Sequence, residues 1–183
     1  MGGGYFDLDD ILSESQKFTG SFKYDVDNVG CLINSKDSAK ISKQDKLELP
    51  FWLVEALTRV RIGEEDNDEI IFAVERPEYL SKIATNFFKA SPLNADLSTV
   101  PHFYKVVKNW CEFIEQPELI EIVFNMLVSR ASKINDLSLN TSEMHSRENV
   151  EFIQTFDAFE KELFQTSAES YGNSRAWIKN IIR

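Results

Sequence analysis

Between Lys46 and Leu53 the chain reads Lys46-Leu47-Glu48-Leu49-Pro50-Phe51-Trp52-Leu53, and the hydrophobic period changes inside that octet. Leu47 and Leu49 share one face of an extended segment, whereas Leu53, Ala56, Leu57 and Val60 recur at helical spacing. A strand therefore gives way to a helix at Pro50, whose missing N–H ends ladder pairing and whose fixed φ suits a helix start. A chain with such a seam is assembled from two kinds of module. The expectation is an α+β, mainly α fold, with a small β-rich domain over residues 1–49 and a helical-bundle domain over residues 50–183.

On the N-terminal side, Asp9 can cap a short helix carrying Ile11 and Leu12. Phe18, Phe22, Tyr24 and Val26 then alternate like one face of a strand, with Gly20 placed for a bulge. Asp27-Asn28-Val29-Gly30 reads as a turn and Cys31-Leu32-Ile33 as another short strand. About fifty residues of this kind bury too little surface to stand alone, so they need the helices or a partner.

Beyond Pro50 the pattern is mainly helical. The acidic run Glu64–Glu69 reads as a solvated loop and Ile70–Val74 as one more strand. A helix from Pro77 carries Leu80, Ile83, Ala84, Phe87 and Phe88 on one stripe, and the next carries Phe103, Val106, Val107, Trp110 and Ile114. From Pro117, Ile120, Val123, Phe124, Leu127, Ala131 and Ile134 form a wide inward face. Asn135 to about Ser146 reads as a loop. Phe152, Phe156, Phe159 and Leu163 are spaced like a short coiled-coil seam, Gly172 is placed to end that helix, and Ser174 to cap a last turn with Trp177, Ile178, Ile181 and Ile182. Phe152, Phe156, Phe159, Leu163, Trp177 and Ile181 add apolar surface beyond a four-helix core. Either they close on the protein's own interior or they form a partner interface.

The formal charge of −10 opposes a phosphate-gripping surface, which rules against an independent DNA-binding module and leaves any DNA contact indirect or weak. Lys36, Lys40, Lys43 and Lys46 are interspersed with serine and aspartate, as in a solvated loop. No run approaches the roughly 18 to 20 apolar residues of a membrane span, and acidic Asp7, Asp9 and Asp10 near the start do not suit a signal peptide. Phe6 occupies the place where a myristoylation motif wants serine or threonine. The expectation is an intracellular protein with no membrane contact.

Catalytic equipment is sparse. Cys31, Cys111, His102 and His145 make neither a disulfide framework nor a good zinc site, no glycine-rich phosphate loop occurs, and no cofactor is expected. His102 and Cys111 stand nine residues apart, which on one helix puts them on opposite faces about 13 Å apart along the axis. Asp7, Asp9 and Asp10 could hold Mg²⁺ and serve a small metal-dependent hydrolase. Acidic residues at a helix start already have a role in capping and in meeting the helix dipole, so the structural reading is preferred.

Four strings occur in one order along the chain: Tyr5-Phe6-Asp7-Leu8-Asp9-Asp10-Ile11-Leu12, the octet Lys46–Leu53, Asp96-Leu97 leading to Pro101-His102-Phe103-Tyr104, and Leu163-Phe164-Gln165-Thr166 leading to Trp177. Together they resemble the third-subunit family of the eukaryotic GINS complex, a DNA-replication factor. Gly2-Gly3-Gly4 and the acidic run after Ile62 fall outside the resemblance. The resemblance implies a small β domain followed by a helical domain, and a non-catalytic subunit of a heterotetramer packed chiefly through helices. It implies as partners the other three GINS subunits, the MCM ring and its Cdc partner in the replicative helicase, and the leading-strand polymerase. It also implies a nuclear location and a role in initiation and elongation of replication.

Overall fold

Phe18 and Phe22 lie on one side of strand β1 (Lys17–Phe22), where two-residue alternation puts them, and both are buried. The computed structural model describes residues 6–27, 29, 40–43, 45–62, 69–140 and 146–181. The chain divides into two compact units, Met1–Ser81 and Lys82–Arg183.

In the first unit, helix α1 (Leu8–Glu14) precedes β1, and the short strands β2 (Val26–Asp27) and β3 (Lys40–Ile41) pair with each other. Strand β4 (Lys46–Pro50) runs directly into helix α2 (Phe51–Arg59), followed by β5 (Arg61–Ile62), β6 (Glu69–Ile70) and β7 (Phe72–Val74). β1 is the centre of a three-stranded antiparallel sheet in the order β4-β1-β7. Its register is continuous from Lys17 opposite Pro50 to Ser21 opposite Lys46, and Gly20 pairs with Val74 on the other side. Gly20 is therefore not a bulge. The glycine is there because the Phe72 ring lies over it: an added Cβ would stand 2.6 Å from Phe72 Cζ and 2.7 Å from the Ala73 carbonyl oxygen.

The strand-to-helix switch falls at Pro50, which takes the N-cap position of α2 with φ −64°. Leu47 and Leu49 are buried as the alternation requires. The helix turns a different face inward than its apolar stripe suggests. Phe51 and Val54 are buried, while Ala56 and Val60 are exposed. Phe51 decides this, because its N–H donates to the Gln16 carbonyl at 3.0 Å and its ring packs 5.3 Å from that of Phe18. α2 packs on β1, β4 and β7. The boundary expected at Pro50 thus lies inside the first unit, since the sheet needs α2 as its cover. The expected strand at Cys31–Ile33, the loop lysine Lys36 and the acidic run Glu64–Asp68 lie outside the described residues.

The second unit is helical: α3 (Lys82–Ala90), α4 (Phe103–Ile114), α5 (Pro117–Leu139), α6 (Arg147–Gln154) and α7 (Ala158–Ile181). α3 starts at Lys82 and not at Pro77, because Ser81 is extended after a single 3₁₀ turn at Glu78–Leu80. α4 buries Phe103, Val106, Val107, Trp110 and Cys111, close to the expected stripe. It ends where Glu115 takes a left-handed φ of 55°, and Pro117 opens α5. α5 has 23 residues and carries the helix through Asn135–Leu139, where the polar composition predicts a loop.

The expected seam from Phe152 to Leu163 is not one helix. Ser146 caps α6, the helix ends at Thr155, and α7 restarts at Ala158. Two backbone bonds brace this corner: the Leu97 N–H donates to the Thr155 carbonyl at 3.0 Å, and the Ala158 N–H to the Pro101 carbonyl at 2.8 Å. α7 then runs unbroken through Gly172, and Ser174 is an interior residue whose hydroxyl donates to the Ser170 carbonyl at 2.9 Å. The helix end expected at Gly172 and the cap expected at Ser174 are therefore absent.

Candidate protein-protein interface and the buried polar hub

A charged residue lies at the centre of the second unit. Arg130 projects from the buried face of α5 and is fully enclosed, as is Glu160 in the first turn of α7. The two meet as a fork, Nε to Oε1 at 2.7 Å and Nη2 to Oε2 at 2.7 Å. The remaining guanidinium N–H groups donate to the Pro92, Leu93 and Ala95 carbonyls at 3.2, 3.4 and 3.0 Å and to Thr155 Oγ1 at 3.0 Å. The Phe152 ring lies 4.9 Å from the guanidinium carbon. Every donor of this buried cation is used, the condition under which such a charge is tolerated.

Tyr104 on α4 donates its hydroxyl to Glu160 Oε1 at 2.7 Å. Burial, and then the Glu160 charge, push its ionisation far above the ordinary tyrosine range, so it stays a neutral donor. Asp157 precedes α7 and accepts the Glu160 N–H on Oδ1 at 2.8 Å, the geometry of an N-cap. Its Oδ2 is buried without a hydrogen-bond partner. Burial is the main force raising the Asp157 carboxyl to about 6, and the Glu160 charge adds to it. These groups tie α4, α5, α7 and the segment before α4 into one framework. The hub is not among the residues that periodicity and motif spacing single out. Its signal was an arginine amid the buried series Met126, Ile134 and Leu137 of α5, together with the Asp157-x-x-Glu160 spacing before a helix.

The six residues expected at an interface separate into two groups. Phe152 and Phe156 are buried with Ile134 and Leu137, their rings 4.9 Å apart edge to face, and Leu163 packs against that cluster. They belong to the interior, because the corner between α6 and α7 turns both rings onto α5. Phe159 is about half exposed, 5.8 Å from the Tyr104 ring. Trp177 is 66% exposed and Ile181 61%, with Ile178 beside them. Other apolar residues also face outward: Ile83 and Phe87 on α3 and Ile120 and Phe124 on α5, all four expected on inward stripes, and Val128 four residues beyond Phe124.

Residues 6–59 match the family model of the PSF3 N-terminal domain, and residues 77–179 that of the GINS complex protein helical bundle domain. The chain is 34% identical over 181 residues to the DNA replication complex GINS protein PSF3 of Debaryomyces hansenii, covering 98% of this chain and 100% of the relative. It is 34% identical to that of Candida albicans, over 96% and 97% of the two chains, and 30% identical to that of Saccharomyces cerevisiae, over 96% and 98%. The chain belongs to the PSF3 family of GINS complex proteins. The PSF3 N-terminal match ends with α2. The bundle match runs from before α3 to Lys179, so it takes in the part of α7 that carries Trp177.

The acidic cluster near the N-terminus has a local role in this PSF3-family fold. Asp7 caps α1, its Oδ1 accepting the Asp9 N–H at 3.0 Å, while Asp9 and Asp10 lie in the first turn. The cap is Asp7, two residues earlier than expected. Among the described residues, no group of three or more histidine, cysteine, aspartate or glutamate side chains is placed to hold a metal ion. Among the same residues, no helix is long and apolar enough to cross a membrane.

Proposed function

We propose that this chain is a non-catalytic subunit of a heterotetrameric GINS complex and works as an adaptor in DNA replication. The observation that carries the reading is the outward apolar surface of the helical unit, above all Trp177, Ile178 and Ile181, on a chain of the PSF3 family. Large exposed apolar stripes are costly in water and mark protein contacts. The hub supports the same role, since a framework locked by Arg130 and Glu160 presents those stripes in fixed positions. In this reading the chain docks on the other three GINS subunits. The assembled particle joins the MCM ring and its Cdc partner, supports the leading-strand polymerase, and acts in the nucleus, with DNA contact indirect. Binding several partners at once tethers each to the others at high effective concentration.

Coexpression with the three sister subunits tests the proposal. The expected product is a single particle of one copy each by native mass spectrometry, and Trp177→Glu is expected to release this chain from it without unfolding the chain. A particle that forms without this chain, or retains the Trp177→Glu variant undiminished, would refute the reading.

A further inference from the structure

We infer that the groove between α3 and α5 takes a short extended peptide, with an arginine or lysine two residues from an apolar side chain, from a protein other than the sister GINS subunits. The inference goes beyond the adaptor reading and does not depend on it. The groove encloses about 580 Å³, within the range of ligand pockets, and both walls belong to the second unit. Glu118, Glu121, Ile122, Asn125, Met126 and Ser129 form one wall, a single stripe at three- and four-residue steps along α5. Phe88 and Lys89 at the end of α3, with Pro92, form the other. The eleven-residue rise from Glu118 to Ser129 is about 16 Å, the length of about five extended residues.

The chemistry changes along that length. Phe88 and Met126 are buried and give the groove an apolar floor. Midway, Asn125 is exposed with an amide that both donates and accepts, which suits the C=O and N–H of an extended backbone. The Ser129 hydroxyl donates to the Asn125 carbonyl at 3.0 Å and keeps its lone pairs for an incoming donor. At the other end Glu118 and Glu121 are exposed, about one turn apart on the same side of the helix. Among the described residues neither carboxylate is held in an ion pair, by Lys89 or by any other cation. Two carboxylates so placed fit one cationic side chain, and the apolar floor fits the side chain two residues on, which an extended segment turns to the same face.

The groove is also separate from the outward apolar stripe. At about 100° per residue, its centre lies about 130° around α5 from Ile120, Phe124 and Val128. A subunit seated on that stripe covers a different side of the helix.

A capped five-residue peptide with arginine second and leucine fourth in an alanine background is the probe, and the same peptide with glutamate for arginine is its control. Titrated into the full chain and followed by amide chemical shifts, the arginine peptide should give saturable shifts at Ile122, Asn125 and Ser129 and bind at least about fivefold tighter than the control. The Glu118→Gln/Glu121→Gln variant should weaken it about fivefold and remove most of its salt dependence. Asn125→Trp, a change at an exposed position, should fill the groove and abolish the shifts while the melting temperature holds. No saturable shifts at the groove, equal binding of the two peptides, or undiminished binding to Asn125→Trp overturns the inference and leaves the adaptor reading intact. The same titration into the coexpressed particle should give the same affinity. Loss of binding there overturns the assignment to an outside partner, because a sister subunit then covers the groove.

Discussion

Arg130 and Glu160 face each other through two hydrogen bonds of 2.7 Å with both side chains shut off from solvent. Thirty residues apart in sequence, they join the middle of α5 to the first turn of α7 and thereby fix which faces of both helices point outward.

Removing one partner leaves the other charged and buried. Arg130→Met and Glu160→Leu should each destabilise the fold by about 3–5 kcal/mol, and the double variant by less than the sum. Urea unfolding followed by the fluorescence of Trp110, buried in the same unit, measures this. Additive losses would show that the pair is not coupled.

Asp157 sets a pH dependence of definite sign. Its folded pKa of about 6 lies above the ordinary 3.8, so the folded chain holds this proton more tightly than the unfolded chain. The Asp157 contribution is most favourable below about 4 and is lost as pH rises through about 6, on the order of 3 kcal/mol. Asp157→Asn keeps an oxygen acceptor for the cap and has no proton to lose. The wild-type minus variant difference in urea midpoint should therefore fall between pH 4 and 6.5 and be flat above. A difference that rises over that interval would contradict the assignment.

Phe51 and Trp52 are neighbours with opposite fates. Phe51 is buried against Phe18, so Phe51→Ala should cost about 3–5 kcal/mol. Trp52 is 54% exposed, and its truncation should stay within about 1 kcal/mol. Thermal melts of the two variants decide it, and equal losses would be the wrong outcome.

Gly20→Ala should destabilise the central strand by about 1–3 kcal/mol, because the new methyl must displace the Phe72 ring and the Ala73 carbonyl. Phe72→Leu in the same chain should recover part of the loss by giving the methyl room. Urea titration of the single and double variants measures the recovery, and its absence would mean that the backbone is the sole obstacle.

Much of the fold was legible because periodicity reports local geometry. The alternation of Leu47 and Leu49, the switch at Pro50 and the α4 stripe from Phe103 to Trp110 all fell where their spacing put them. Which of the apolar residues face outward was legible only in part. Trp177 and Ile181 are exposed, but Phe152 and Phe156, equally apolar and equally spaced, fill the core.

Sequence by itself determined the strand-to-helix switch at Pro50, the inward stripe of α4 and an apolar segment around Trp177 that water does not suit, since these follow from residue type and near-neighbour spacing. Only the tertiary structure decided which apolar faces are spent inside, that α2 belongs to the sheet, and that Arg130 finds Glu160. The physical reason is range: a hydrophobic stripe states that a face wants cover, while the partner that covers it is chosen by packing and hydrogen bonding between residues far apart in the chain.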